Sequence, residues 1–398
     1  MNLLFLTSRL PYPPHRGDKL KIYNLIKHLS QRGHEITLLS FISTRKEKIS
    51  STALLEFCVE VKAIHLPLYQ SILNCLFNIF SAAPFQIFYF KSRKMKRLIE
   101  TTLSSGDFDA IHVHLIRMAQ YGVDVTGIPR ILDLTDAGSL YLERFLKVTK
   151  NPFFKLFLKS ELKRLKQYET VLEKFDTCLV CSAVDKESLF LRAPHAKIDL
   201  LYNGIDLDYF TPDGSVAADS SRIVYTGNMS YYPNADGVVF FVNKVFPLVQ
   251  QKLPHSKLFI VGQKPSRKIR SLQNTNIIVT GFVSDIREHY LRSTVAIAPI
   301  RFGAGTLNKV LEPMALGVPV VATSIAAEGL PVHDEREILI ADSPEDFAGN
   351  IVRLLTNAQL RKDISENARQ LVRNLYSWSS IASTLENVYV RAAREINS

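Results

Sequence analysis

The sequence predicts an α/β protein built from two doubly wound domains with parallel sheets. Its 398 residues are too many for one compact core, so two domains are expected. Apolar, strand-like runs alternate with amphipathic, helix-like stretches, which is the pattern of parallel α/β sheets. Residues 203–221 interrupt this pattern with turn-forming and small polar residues, which are typical of a linker. We therefore place the domain boundary after residue 205.

The first domain is expected to contain seven strands, with helices over residues 19–32 and 156–174. Its strand-like runs are NLLFLT, EITLLSF, VKAIHLPL, DAIHVHL, RILDLT, TCLVCS and IDLLYN. The second domain is expected to contain six strands, with a helix over residues 237–252 between the first two. Its runs are RIVYTG, KLFIVG, NIIVTGF, VAIAPI, VPVVAT and EILIA. After residue 343 the chain is predicted to be helical, and the apolar spacing of the last helix predicts one buried face.

The net charge of +11 is concentrated in the first half of the chain. Residues 1–205 hold 29 Lys and Arg against 19 Asp and Glu, whereas the remainder holds 20 against 19. This asymmetry indicates an anionic partner. No aromatic–basic RNA motif or helix-turn-helix pattern is present, so a membrane surface is favoured over nucleic acid. Cys178 and Cys181 form a C-x-x-C inside a strand-like run without a second ligand pair, which favours reduced thiols over a metal or redox site.

Residues 66–90 carry no charged side chain, although prolines, asparagines and glutamines interrupt the run. One interpretation is a buried helix and loop. The other is an interfacial membrane segment, because the basic run KSRKMKR follows directly. No continuous apolar run is long enough to span a bilayer, and the N-terminus lacks the basic region of a secretory signal. These features predict a cytoplasmic protein that is peripheral on the inner face of the plasma membrane.

Residues 302–323, FGAGTLNKVLEPMALGVPVVAT, combine a glycine-rich loop, a helix and a buried strand. Gly303 and Gly305 would let the backbone approach a ligand closely, because they lack Cβ. The N-terminus of the following helix offers free N–H groups and a partial positive charge, which suits a diphosphate. Lys309 adds a cation in the first turn, and Glu312 could accept hydrogen bonds from ribose hydroxyls. The alternative is an ordinary amphipathic helix with a Lys–Glu pair.

This segment resembles the donor-site signature of retaining family 4 glycosyltransferases of the GT-B fold. Other segments resemble the family in the expected order: RGDKLKIYNLIKHLSQRGHEITLLSF, HVHL, NGIDLDYFTP, YTGNMSYYPNADG, VGQKPS, VTGFVSDIREHY and YSWSSI. The resemblance covers nearly the whole chain and extends to bacterial exopolysaccharide-associated sugar transferases. It implies two facing Rossmann-like domains, with residues 1–205 on the acceptor side and residues 206–376 binding the donor. The C-terminal helix, residues 377–398, would cross back to the first domain.

The resemblance also implies roles for individual residues in both domains. Glu312 would bind the donor ribose, and Lys309 would hold the diphosphate. His114 would contact the transferred sugar, which completes a catalytic set with these two residues. The donor-binding set is Gly17, Asp18, Gly227, Asn228, Val283, Gly303, Gly305, Thr306, Leu307, Asn308, Lys309 and Glu312.

The chain departs from the family pattern at several donor positions. Ala304 stands where many relatives carry a glutamate, and Asn228 and Pro233 stand where many carry an arginine and a lysine. The charge facing phosphate would then come from the remaining basic residues of the region. These candidates are Lys309, Arg301 and Lys264.

Three further polar patterns allow two interpretations each. His112 and His114 lie on the same face of a strand and could ligate a metal, but a third ligand is lacking. Asp206 and Asp208 form a D-x-D, for which a solvated turn is favoured over a cation site. Asp136, after the run RILDLT, is either a helix N-cap or an acceptor-side residue.

The inferred reaction is transfer of a glycosyl group from a nucleotide diphosphate sugar to a hydroxyl of a glycan or lipid-linked acceptor, in exopolysaccharide biosynthesis. The resemblance implies retention of configuration, and no metal or other cofactor is expected. The expected partners are the donor, the acceptor and an anionic membrane surface, without nucleic acid. A nucleotide-sugar 2-epimerase of the same fold is one alternative. An inactive membrane-associated scaffold is the other, suggested by Ala304 and Asn228.

Overall fold

The computed structural model describes residues 1–14, 17–44, 47, 51–303 and 308–396. The chain divides into two compact units, which we call unit 1 and unit 2. Unit 1 comprises Met1–Asn203 and Trp378–Ser398, and unit 2 comprises Gly204–Ser377. The sequence placed the corresponding boundaries after residues 205 and 376.

Unit 1 is built on a sheet of seven parallel strands in the order β3-β2-β1-β4-β5-β6-β7. The strands are β1 Asn2–Thr7, β2 Glu35–Ile42, β3 Glu60–His65, β4 Ala110–His114, β5 Arg130–Thr135, β6 Thr177–Val180 and β7 Ile198–Leu200. Each of the seven expected strands is therefore present. The order runs outward from β1 in both directions, which defines a doubly wound sheet.

Helices cover both faces of this sheet. They are α1 Gly17–Gln31, α2 Leu68–Phe77, α3 Phe85–Tyr89, α4 Arg93–Ser105, α5 Ala119–Gly122, α6 Gly138–Val148, α7 Pro152–Tyr168 and α8 Ala183–Phe190. Short 3₁₀ turns occupy Ser51–Leu54, Ile116–Met118 and Glu169–Lys174. One apolar cluster lies on each side of the strands, because alternate residues of a strand point to opposite faces. Leu4 and Leu6 belong to one cluster, and Leu3 and Phe5 belong to the other.

The last helix of the chain returns to unit 1, as the family resemblance implied. In the numbering used here it is α17, Trp378–Ile396. Its buried residues Ile381, Leu385 and Val388 belong to the cluster that also contains Leu25 of α1. Arg32 donates hydrogen bonds to Glu386 at 2.9 and 2.6 Å, which closes the edge of this contact. The predicted packing of the C-terminal helix is confirmed.

Unit 2 is built on a sheet of six parallel strands in the order β10-β9-β8-β11-β12-β13. The strands are β8 Asp219–Thr226, β9 Lys257–Val261, β10 Ile277–Gly281, β11 Ser293–Ala298, β12 Val320–Ala322 and β13 Leu339–Ile340. The helices are α9 Tyr232–Phe240, α10 Phe246–Lys252, α11 Arg267–Arg270, α12 Arg287–Leu291, α13 Asn308–Ala315, α14 Ser324–Ala327, α15 Pro344–Thr356 and α16 Ala358–Leu375. All six expected strands are present, although β8 begins inside the predicted linker.

The helix expected over residues 237–252 begins earlier and changes its winding in the middle. A π-helical stretch, Phe241–Val245, separates α9 from α10. Pro247 lies in the first turn of α10 and has no N–H to donate to the preceding turn, which explains the local widening. Phe241, which begins the π-helical stretch, and Phe246, which begins α10, are both buried, and their ring centroids are 6.1 Å apart.

Residues 66–90 are not the buried segment that one interpretation expected. Leu66, Ile87, Phe88 and Phe90 are buried, but most of the other large apolar side chains are exposed to solvent. The exposed ones are Leu68, Tyr69, Ile72, Leu73, Leu76, Phe77, Ile79, Phe80 and Tyr89. Across the described part of the chain, no helix has both the length and the apolar content needed to cross a membrane.

Candidate functional site

Two glycine turns in unit 2 touch where β8 and β9 end. A Cβ on Gly262, whose φ is +143°, would lie 1.8 Å from the carbonyl oxygen of Gly227. A Cβ on Gly227 would lie 2.8 Å from Asn234 Nδ2 and 3.3 Å from Lys309 Nζ. Only glycine fits at either position. Because Gly227 has no side chain, the backbone of its turn lies close to the ammonium group of Lys309.

Lys309 is in the first turn of α13, and its side chain is folded into unit 2. The residue is 9% exposed, and its Nζ lies 3.0 Å from the hydroxyl of Tyr225, to which it donates. Nζ also donates to Asn234 Oδ1 and lies 4.8 Å from the centroid of the Tyr225 ring. Burial lowers the pKa of Lys309 to about 7, although nearby Glu312 opposes the shift. The ammonium is therefore held by neutral partners rather than by a carboxylate.

Glu312 lies one helical turn further along α13 and is partly exposed. Its Oε2 accepts a hydrogen bond from the hydroxyl of Tyr290 at 3.0 Å. That hydroxyl also lies 2.5 Å from Thr226 Oγ1, which fixes its position at the end of β8. Burial raises the pKa of Glu312 to about 7, while Tyr290 and Lys309 oppose the shift. Two adjacent groups of opposite charge are thus both displaced toward their neutral forms.

Of the other predicted donor residues of unit 2, Asn228, Val283 and Gly303 lie in loops. Asn228 Oδ1 accepts hydrogen bonds from Ser230 N at 3.0 Å and Ser230 Oγ at 2.8 Å, so the side chain shapes its own turn. Val283 is half-buried in the loop after β10, and Gly303 is buried. Asn308 is the first residue of α13. Gly305, Thr306, Leu307 and the substituted Ala304 lie outside the described residues, and contact of this set with a donor stays a prediction.

The two further candidates for phosphate charge differ in their surroundings. Arg301 donates to Asp236 through Nε at 2.8 Å and Nη2 at 2.6 Å, so its charge already has a carboxylate partner. Lys264 is exposed and follows the turn at Gly262 with a left-handed φ of +56°. Lys309 differs from both because it is buried beside the glycine turn.

In unit 1, predicted His114 is at the carboxyl end of β4 and is buried. Its Nε2 lies 3.4 Å from Thr135 Oγ1, and burial lowers the pKa of the imidazole to about 3. The next residue, Leu115, and Thr135 both have left-handed φ angles, 71° and 68°. Non-glycine residues adopt this conformation at an energetic cost, and they do so here at the carboxyl ends of adjacent strands. The contact of His114 with a transferred sugar stays a prediction.

A chain of buried polar contacts lies behind His114. Lys21 Nζ donates to Asp133 Oδ1 at 2.8 Å, and both side chains are almost fully buried. His112 Nε2 lies 3.6 Å from Asp133 Oδ2, and His112 Nδ1 lies 2.8 Å from the hydroxyl of Tyr389 on α17. Burial raises the pKa of Asp133, but Lys21 and His112 outweigh it and hold this pKa well below its usual range. His112 therefore joins β4 to the C-terminal helix.

Gly17 and Asp18 begin α1. Gly17 is exposed, and a Cβ there would meet no atom within 4 Å among the described residues. Asp18 accepts from Arg9 Nη1 at 2.8 Å and from the backbone N of Lys19 at 3.1 Å. The carboxylate is thus fixed at the helix start, and its role toward a donor or acceptor stays a prediction.

Asp136 is not the N-cap of α6, because Ala137 occupies that position. The N–H groups at this helix start are satisfied from elsewhere: Ala137 N donates to Asp185 at 2.9 Å, and Ser139 N donates to Glu169 at 3.1 Å. Burial and the neighbouring Asp185 raise the pKa of Asp136 to about 7. The N-cap interpretation is wrong, and an acceptor-side role stays a prediction.

The structure also places the metal-like patterns of the sequence. Within the described residues, no three His, Cys, Asp or Glu side chains cluster as metal ligands would. Asp206 Oδ1 accepts from Tyr209 N at 3.0 Å, so the D-x-D forms the expected turn. Cys178 in β6 and Cys181 directly after it are buried and form no disulfide, and burial raises the pKa of Cys178 well above its usual range.

Sequence reasoning missed the residues that hold the Lys309–Glu312 pair in place. Tyr225 and Asn234 hold Lys309, and Tyr290 holds Glu312. Both lie in the motif YTGNMSYYPNADG, where Tyr225 is the first residue, but the sequence analysis considered only Gly227, Asn228 and Pro233 of this motif. Tyr290 has no local signal, since an aromatic residue on a short helix is ordinarily part of a core.

Comparison with known proteins agrees with this architecture. The pattern described as Glycosyltransferase Family 4 matches residues 22–209, and that described as Glycosyl transferases group 1 matches residues 220–357. The chain is 23% identical over 399 residues to a Klebsiella pneumoniae protein named "Uncharacterized 44.6 kDa protein in cps region", covering 96% of this chain and 98% of the relative.

Solved structures share the fold at low sequence identity. A sucrose-phosphate synthase from Thermosynechococcus elongatus has a TM-score of 0.70 and 16% identity, covering 98% of this chain and 99% of that one. HepE from Anabaena in complex with UDP-glucose has a TM-score of 0.67 and 15% identity, covering 98% and 100%.

Two Rossmann-like parallel sheets, with a C-terminal helix that returns to the first unit, have the architecture of the GT-B fold. The two sequence patterns together span most of the chain, and it belongs to glycosyltransferase family 4.

Proposed function

We propose that this glycosyltransferase moves a sugar from a nucleotide diphosphate sugar to an acceptor hydroxyl. The observation that carries the proposal is the Lys309–Glu312 pair on α13. Its lysine is buried beside the bare turn at Gly227 without a carboxylate partner among the described residues, and its pKa is lowered to about 7. A diphosphate placed there would supply the missing negative charge. The UDP-glucose bound by the structurally similar HepE supports this choice of ligand class.

Each member of the pair has a separate task in this proposal. The Lys309 ammonium would stabilise the charge that develops on the leaving diphosphate, since preorganised charge is most effective in a partly desolvated site. Glu312, oriented by Tyr290, would accept hydrogen bonds from the ribose hydroxyls. The loop at Val283 would approach the base through its backbone. Asn228 would contribute through the turn that it shapes.

We further propose retention of anomeric configuration without a metal or other cofactor. The leaving phosphate would itself take the proton of the acceptor hydroxyl. The carbon–oxygen bond to the diphosphate would break as the bond to the acceptor oxygen forms on the same face. This part of the proposal is supported by the donor-site signature in residues 302–323.

The proposed acceptor is a lipid-linked or polysaccharide glycan, handled at an anionic membrane on its cytoplasmic side. The name of the Klebsiella relative places that protein in a cps region, which supports a role in exopolysaccharide biosynthesis. The excess of positive charge in residues 1–205 supports an anionic surface as partner.

The proposal is tested with purified protein, labelled nucleotide sugars and a membrane lipid extract. We expect label to move from nucleotide to a lipid-extractable product, in the presence of EDTA as in its absence. NMR of the product should show the anomeric configuration of the donor. Release of an epimerised free sugar nucleotide, or no turnover with any donor that binds, would contradict transfer. An inverted product would contradict only retention.

A further inference from the structure

The helix α2 of unit 1 packs in an inverted orientation, with its polar side against the protein. Ser71 is 1% exposed. Asn74 Nδ2 donates to the carbonyl of Lys91, outside the helix, at 2.9 Å. The opposite side of the helix and the turn after it present large apolar side chains to solvent. These are Leu68, Tyr69, Ile72, Leu73, Leu76, Phe77, Ile79 and Phe80.

The first turn of α7 adds a second group of exposed apolar side chains, namely Phe153, Phe154, Leu156 and Phe157. The two groups are joined through the segment between α2 and α3. The ring of Phe85 stacks on Phe157 with centroids 5.8 Å apart. Arg164 of α7 donates to the carbonyl of Ile79 at 2.5 Å, and Glu161 accepts from Phe85 N at 3.0 Å. Together the groups form one surface, which we call the α2–α7 surface.

Basic residues flank the segments of the α2–α7 surface in the sequence, and acidic ones are scarce within and next to these segments. Residues 66–90 contain no charged side chain, and residues 144–160 contain five Lys and Arg without an Asp or Glu. Residues 91–97, which follow directly after residue 90, add five more basic side chains, and all five are exposed. Of these five, Lys96 has a carboxylate partner in the described structure, Asp124 at 3.6 Å.

We propose that the α2–α7 surface inserts into the interfacial region of an anionic lipid bilayer. Phe80 is 99% exposed and Phe153 is 85% exposed, and an aqueous solvent opposes exposure of so many adjacent large apolar groups. Apolar side chains framed by Lys and Arg are the composition of an interfacial membrane surface. A second copy of the chain fits less well, because the basic frames of two identical surfaces would then face each other.

This proposal deepens the membrane part of the proposed function, and it rests on that function only for the identity of the acceptor. The proposal adds α7 to residues 66–90, for which the sequence had indicated contact with a membrane. Bilayer contact can be measured without any substrate. Stabilisation of the protein by UDP, which reports on unit 2, gives an independent readout of the donor proposal.

The first experiment compares vesicles of phosphatidylglycerol and phosphatidylcholine with vesicles of phosphatidylcholine alone. The full chain should bind the anionic vesicles and bind the neutral ones weakly. Phe77→Ser with Phe80→Ser, and separately Phe153→Ser with Leu156→Ser, should each weaken binding at least about tenfold. Lys94→Gln with Arg97→Gln should weaken binding to anionic vesicles and reduce its salt dependence. Leu191→Ser, which alters an exposed leucine outside the surface, is the matched control and should bind as wild type.

The second experiment measures how deeply the α2–α7 surface enters the bilayer, by the quenching of tryptophan fluorescence. The chain has one tryptophan, Trp378, which is 4% exposed and gives a constant background. Tyr69→Trp and Phe153→Trp should both be quenched by brominated lipids, whereas Leu191→Trp should not. UDP stabilisation should be the same in all these variants.

Several results would overturn the proposal. Negligible binding of the intact chain to both vesicle types would do so, and so would quenching at one element alone. If both apolar double variants bound vesicles as the wild type does, binding would depend on surface charge alone, and insertion would be refuted. A dimer of the wild-type chain that the apolar substitutions convert to monomer, measured by light scattering, would assign the surface to a second copy.

Discussion

Each unit contains a buried lysine close to a carboxylate, but the two pairs differ in how their charges are compensated. In unit 1, Lys21 Nζ lies 2.8 Å from Asp133 Oδ1, and the pKa of Asp133 is held well below its usual range. In unit 2, Lys309 and Glu312 share a helix face but make no ion pair among the described residues, and both pKa values shift to about 7.

We propose that the difference separates a structural pair in unit 1 from a ligand-binding pair in unit 2. A buried charge with a close partner and further hydrogen bonds stays ionised, and it joins the elements that carry it. A buried charge held by neutral groups stays close to losing its charge, and a ligand of opposite sign restores the charged form. On this comparison, we expect the diphosphate to bind to Lys309 in unit 2.

The largest expected effect is on the stability of unit 1. Lys21→Met should lower its free energy of unfolding by about 3–5 kcal/mol, because Asp133 would remain buried without its partner. Adding Asp133→Leu should restore most of that loss. Lys309→Met in unit 2 should not lower stability, because it removes a cation whose burial is unfavourable. Urea unfolding of the four proteins checks this, and equal losses from both lysine substitutions would refute the distinction between the pairs.

The next effect is on donor turnover. Lys309→Ala and Glu312→Ala should each reduce it at least about tenfold, because each removes a hydrogen bond that involves a charged group, worth about 1.5–3 kcal/mol. Circular dichroism should show a folded protein in both cases. Lys252→Ala and Glu345→Ala, which alter exposed residues of the same unit, are the matched controls. Wild-type kinetics in both site variants would remove the pair from the donor site.

A smaller effect is expected on the pH dependence of nucleotide-sugar binding. Without ligand, the pKa of Lys309 is about 7, and we expect a bound diphosphate to raise this pKa. The affinity for the nucleotide sugar should therefore fall as the pH rises above 7, because binding then requires uptake of a proton. Free Glu312 also has a pKa of about 7, and contact with ribose favours the carboxylate, so affinity should fall as the pH drops below 7. Titration calorimetry with UDP-glucose should give a maximum near 7. Glu312→Gln should abolish the acid limb only; a flat profile for the wild type would contradict the assignment.

The smallest effect is expected from Tyr290→Phe. The substitution removes one hydroxyl from Glu312 and Thr226 while it keeps the buried ring. Loss of a hydrogen bond to a carboxylate should raise the pKa of Glu312 further and shift the acid limb of binding toward higher pH. Turnover at pH 7 should fall less than in Glu312→Ala, because the carboxylate itself is kept and loses only one of its hydrogen bonds. An unshifted acid limb would show that Tyr290 does not orient Glu312.

The strands could be predicted because their signal is local. Each buried strand is a short apolar run bounded by turn formers, and all thirteen runs form strands of the two sheets. The motif around Lys309 and Glu312 was visible for the same reason, since its glycines, charges and buried strand lie within residues 302–323. The helix N-cap at Asp136 was misassigned because the groups that satisfy the helix start come from Asp185 and Glu169, distant in sequence.

By itself the sequence determined the two parallel sheets and the position of the lysine–glutamate motif, because periodicity and spacing are properties of neighbouring residues. The return of α17 to unit 1 was expected from the family resemblance. Only the tertiary structure decided which lysine is ion-paired. Lys21 and Asp133 are far apart in the chain, and the partners of Lys309 come from β8 and α9. It also decided that the polar side of α2 faces the protein. Burial and partners depend on which distant elements meet, and no local pattern records that.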